Sequence, residues 1–124
     1  MSKMSTSILC LAASAMAMAS APVLAKNTRA YDHAIECSSA VAVVAALVGD
    51  DPETKDIAAQ MKAATPKWLD IGRAMKVKSD DAVMEDHKAA VTQRLKYILE
   101  DESPSGDRAG ELAKTAIACL DEVS

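Results

Sequence analysis

The chain is 124 residues long, with 14 basic and 18 acidic residues, half of its positions apolar, no Phe and a single Trp. An acidic balance argues against nucleic acid, whose binding draws on clustered Lys and Arg against phosphate. The length suits one domain with one modest core.

The opening stretch reads as a signal peptide. Lys3 supplies a positive start, and Ile8 to Ala19 is apolar but shorter than the ~20 residues a membrane span requires. Val23-Leu24-Ala25 then offers small or modest side chains where a signal peptidase reads, with Pro22 breaking the helix just upstream. Residues 1–25 are therefore expected to be removed after Ala25, taking Cys10 with them, and 26–124 to form a single helical-bundle domain. Lys3 is the sole charge lost, so the remainder carries 13 basic and 18 acidic residues, a net charge of −5. The expected location is periplasmic or secreted, with no stable membrane anchor. Two cysteines remain, Cys37 and Cys119, and an even count in an oxidising compartment is read first as a disulfide.

Four helices can be drawn in chain order. The first is expected from about Arg29 to Val48, capped by Asn27 or Thr28 and closed by Gly49, with a seam of Ala30, Ala34, Cys37, Val41, Ala45 and Val48. The second is expected to begin with Asp51 as cap and Pro52 at the first helical position. Its seam of Ile57, Met61, Ala64, Trp68, Ile71 and Met75 alternates fours and threes, and that continuity favours a kink over a break at Pro66. The third starts at Ser79, with Asp80 and Asp81 at the positive end of its dipole, and ends near Glu102; its stripe is Met84, His87, Val91, Leu95 and Ile98. The fourth follows Ser103-Pro104, read as cap and first residue, and turns Ala109, Leu112, Ala116, Cys119 and Val123 inward.

Short connections between helices of this length favour an all-α, up-down-up-down four-helix bundle. Cys37 lies about two turns into the first helix and Cys119 about one turn before the end of the fourth, and in that topology these ends meet. A helix 1 to helix 4 disulfide is thus expected from face and depth together. The crosslink matters because the seams are Ala-rich and each alanine buries little area.

Bundle geometry also draws His33, Cys37, Met75, Met84, His87 and Cys119 toward one end. Imidazole and thioether groups are ligands for copper and haem iron, and His33 and Cys37 are spaced i, i+4. In size and architecture the chain resembles exported four-helix bundles that hold haem between Met and His. It has no Cys-x-x-Cys-His for covalent attachment, and His87 falls on the third helix rather than the last. Packed histidines and core methionines explain the same residues, so no cofactor and no metal is expected.

Trp68 is read as a core anchor, with an exposed apolar groove beside Pro66 as the alternative. Lys62, Lys67, Arg73, Lys76 and Lys78, followed by Asp80, Asp81, Glu85 and Asp86, could form a docking patch, but helix dipoles reward the same arrangement. Gly-rich phosphate loops, nucleophile elbows and Glu-x-x-His pairs are absent from the sequence. The expectation is an exported, non-catalytic binding or protein-interaction module, with Trp68, Met75, Met84, His33 and His87 as candidate binding residues and another envelope or extracellular protein as partner. The alternative is a periplasmic metal or haem carrier using the His and Met side chains.

Overall fold

A computed structural model describes residues 27–124. The expected signal segment, its cleavage point and Cys10 lie outside the described residues. Within them the fold is all-helical: α1 (Asn27–Val48), α2 (Lys55–Ala74), α3 (Asp80–Leu99) and α4 (Asp107–Val123), packed as a bundle. A disulfide joins Cys37 on α1 to Cys119 on α4, with Cα atoms 5.4 Å apart.

The seam read for α1 is too narrow. Tyr31, Ala34, Cys37, Ser38, Ser39, Ala40, Val41, Val43 and Val44 are all buried. Five consecutive buried residues, at about 100° per residue, cover the whole circumference of a helix. α1 is therefore the central rod, contacted on different faces by the other three helices. Among the described residues α1 is long and apolar enough to cross a membrane by length and composition, and half of its most apolar window is buried inside the protein.

Two proline positions differ from the sequence reading for one reason. Thr54 N–H donates to Asp51 O at 3.1 Å, and Gly106 N–H donates to Ser103 O at 3.3 Å. Pro52 and Pro104 thus each occupy the second position of a β-turn, where their fixed φ is equally at home. The helices begin three residues after each proline, with Thr54 and Gly106 at the cap positions. Asp101 secures the second turn by accepting backbone N–H bonds from Ser103 at 2.9 Å and Arg108 at 3.1 Å. Those bonds, Ser103's foremost, hold its carboxyl below the usual range. At α1, Asn27 and Thr28 are already helical rather than capping. Gly49 does follow the last helical residue, and a Cβ there would lie 2.9 Å from Ala45 O.

α2 runs unbroken through Pro66. The proline sits on the exposed face, and Thr65 Oγ1 donates to Met61 O at 3.2 Å beside it. The helix stops where Lys76 enters the left-handed region, at φ 55°, a position usually taken by Gly. Met61, Ala64 and Trp68 are buried as the seam requires, Ile57, Ile71 and Met75 are half-buried, and Ala58, Leu69 and Gly72 widen the buried face. α3 is capped by Ser79, whose Oγ accepts from Ala82 N–H at 3.2 Å. Its stripe of Met84, His87, Val91, Leu95 and Ile98 is only half-buried, and Val83 is its one buried residue. On α4, Leu112, Ala116, Cys119 and Leu120 are buried.

Candidate functional site

The structure divides the candidate residues between different faces of α1. Cys37 and Ser38 are adjacent in sequence, so their side chains leave the helix about 100° apart. Cys37 looks toward α2 and α4, and Ser38 toward α3.

On the Cys37 side, His33 and Cys37 lie one turn apart on α1, and Glu122 lies one turn beyond Cys119 on α4. His33 Nε2 is 2.9 Å from Glu122 Oε2, and both side chains are about half exposed. Cys37 Sγ is 3.6 Å from His33 Nε2 and 3.9 Å from Glu122 Oε2. A disulfide sulfur has no hydrogen to donate, so these are proximities rather than hydrogen bonds. Trp68 closes the site from α2: its ring meets His33 edge-on at 5.4 Å, and its Nε1 donates to Cys119 O at 3.1 Å. That bond satisfies the indole N–H, which allows Trp68 to be 95 % buried as a core anchor. Trp68 is thus not part of an exposed groove, although an open groove does border Pro66.

On the Ser38 side the α1–α3 contact is polar. Ser38 and Ser39, both fully buried, donate their hydroxyls to Ile35 O at 3.0 Å and Glu36 O at 2.9 Å. His87 Nδ1 lies 2.8 Å from Ser38 Oγ. Since the Ser38 proton is engaged, Nδ1 carries the hydrogen and donates. Burial holds the imidazole pKa below 6.5, which favours that neutral form. Two turns along α3, Arg94 Nε donates to Ser39 Oγ at 2.8 Å and Nη2 donates to Glu36 O at 3.2 Å. Both serines are thereby satisfied, and none of the described buried side-chain polar atoms lacks a partner. Sequence reading gave no role to Ser38, Ser39 or Arg94; Arg94 at i+7 from His87 was the available signal.

Met75 and Met84 lie at the base of the bundle, around a smaller core of Tyr31, Leu69 and Val83. Arg73 Nη2 approaches Met84 Sδ at 3.1 Å. Tyr31 donates its hydroxyl to Asp86 at 2.6 Å, and Lys78 Nζ donates to the same carboxylate at 2.7 Å. Lys78 first and Tyr31 second lower the Asp86 pKa, while burial and Asp86 raise that of Tyr31. The alternating charges around residues 62–86 are thus partly spent within the fold: Lys78 on Asp86, and Arg73 on Asp70 at 3.1 Å.

The structure accordingly brings His33, Cys37, Cys119 and Trp68 together and adds Glu122. It sets His87 against Ser38 and the methionines in the basal core. A separate open groove of about 680 Å³ runs between α1 and α2 near the other end of α1. Its walls are Ala42, Ala45, Ala46, Ala58 and Ala59, with Lys55, Lys62 and Asp50 at its edges. No protein-family model matches the chain, and no curated protein or solved structure matches it.

Proposed function

We propose that this chain is an exported, non-catalytic, up-down-up-down helical bundle that acts as a binding or protein-interaction module, its signal peptide removed after Ala25. The groove between α1 and α2 is the observation that carries this reading. Its walls are mainly alanine, so a partner's backbone or apolar side chain can approach closely, and Lys55, Lys62 and Asp50 add charges at its edges. The disulfide suits an oxidising, exported compartment, and the partner is another envelope or extracellular protein.

A photo-crosslinking residue at Ala46 or Ala59, with the same residue at exposed Ala118 on α4 as control, tests the groove in intact cells. A discrete adduct is expected from the first two positions and not from the third, and Ala42→Trp should abolish it. Equal crosslinking from Ala118, or none from Ala46 and Ala59, would refute the groove as the binding surface. A turnover lost in His33→Ala or His87→Ala would refute the non-catalytic reading.

A further inference from the structure

We infer that reduction of Cys37–Cys119 converts the crosslink into a binding site for a borderline divalent cation of the zinc class, held by His33 Nε2, Glu122 Oε2 and the two released thiolates. The three ligand atoms already measured form a triangle with sides of 2.9, 3.6 and 3.9 Å. A tetrahedral ion with bonds of about 2.3 Å to sulfur and 2.0–2.2 Å to nitrogen or oxygen separates its ligands by about 3.3–3.7 Å. The sulfur–nitrogen distance matches that value, and the other two differ by about half an ångström, within reach of the exposed His33 and Glu122 side chains. Cys119 Sγ is one bond from Cys37 Sγ. Breaking that bond lets it move out by roughly 1.5 Å to the fourth corner of such a tetrahedron.

The surroundings favour the same occupant. His33 and Cys37 are fixed one turn apart on the central helix, and Trp68 packs edge-on against the imidazole, limiting its rotation. Cys37 and Cys119 are at most 2 % exposed. Two thiolates, an imidazole and a carboxylate form a donor set typical of zinc, with the sulfurs on the buried side and His33 and Glu122 on the solvent side.

The chemistry balances with an external dithiol as reductant. Two electrons pass from the dithiol to the Cys37–Cys119 bond, the dithiol closes to its own disulfide, and its two protons appear on Cys37 and Cys119. The cation then displaces both protons to solvent as it binds the sulfurs. The crosslink between α1 and α4 is thereby replaced by a metal bridge between the same two helices.

The test uses the full chain carrying Cys10→Ser, reduced and then freed of reductant under anaerobic conditions, and titrated with Co²⁺ and then Zn²⁺. The reduced protein is expected to bind one Co²⁺ with thiolate charge-transfer and tetrahedral ligand-field absorption, and Zn²⁺ should displace it. The oxidised protein should show neither band. His33→Ala and Glu122→Ala should each weaken binding by at least about tenfold, with Asp121→Ala unchanged. Should the reduced chain lose its helical circular dichroism, Zn²⁺ is expected to restore it, and to do so less well in His33→Ala. The proposal is overturned if the reduced chain, helical or not, binds no Co²⁺ or Zn²⁺. It is equally overturned if His33→Ala and Glu122→Ala bind as tightly as the parent, since the thiolates alone would then account for the metal.

Discussion

Replacing both bridging cysteines with alanine should remove a large share of the stability of this domain. The residues are separated by 82 positions. On the chain-entropy model, a crosslink closing a loop of that length restricts the unfolded chain by about 15 cal/mol/K, or about 4.5 kcal/mol at 25 °C. Domains of this size are stable by roughly 5–15 kcal/mol in all. The core here, built largely from Ala and Val, places this one toward the lower end of that range. Each substitution also removes a buried sulfur, a smaller cost of the same sign. Urea unfolding followed by fluorescence is a direct assay, because Trp68 is the only Trp and is buried beside the bridge. Cys37→Ala/Cys119→Ala should unfold at much lower urea, with a steeper m-value because the unlinked chain exposes more surface. A loss below about 1.5 kcal/mol with an unchanged m-value would refute the reasoning. It would show that the crosslink adds little to helices already held together by packing.

His87 should make stability fall as the solution is acidified. Its folded pKa is below the unfolded 6.5, so the unfolded chain binds more protons and stability drops as pH falls from 6.5 through the folded value. His87→Asn keeps an N–H for Ser38 but cannot ionise, and its urea midpoint should change less over that window; parallel pH profiles would count against a neutral buried imidazole. Tyr31→Phe should cost about 1.5–3 kcal/mol at neutral pH by removing a donor to the ionised Asp86. Because the Asp86 pKa is lowered, that difference should shrink as pH falls through its folded value, and a pH-independent cost in urea titrations would point to packing instead. Gly72→Ala should raise stability by about 0.5–1 kcal/mol. Its Cβ would meet Ala34, Val83 and Tyr31 at 3.7–3.9 Å, ordinary contact distances; a lowered melting temperature would mean that the three helices cannot accommodate a methyl group there.

The helical class and the pairing of Cys37 with Cys119 were legible without coordinates. A 3.6-residue apolar period identifies helices, and two cysteines on apolar seams at matching depths can meet only if their helices are neighbours. The starts of α2 and α4 were not, because a proline after Asp or Ser fits a β-turn and a first helical turn equally well; the choice fell to the hydrogen bonds of Thr54 and Gly106. The site was half legible. The i, i+4 spacing of His33 and Cys37 lies within one helix, whereas Glu122 reaches them only because α4 packs against α1 at a particular rotation.

Local periodicity determined that residues 27–124 make four helices, and it located the centre of the buried face on α2 and α4, though not Leu69 or Leu120 at its edges. Tertiary packing alone decided that α1 is surrounded, that α3 sits on the periphery, and that two buried serines are satisfied by His87 and Arg94. The physical reason is that period and propensity act within one helix. The rotation of each helix about its axis is set by what its neighbours can bury and hydrogen-bond together.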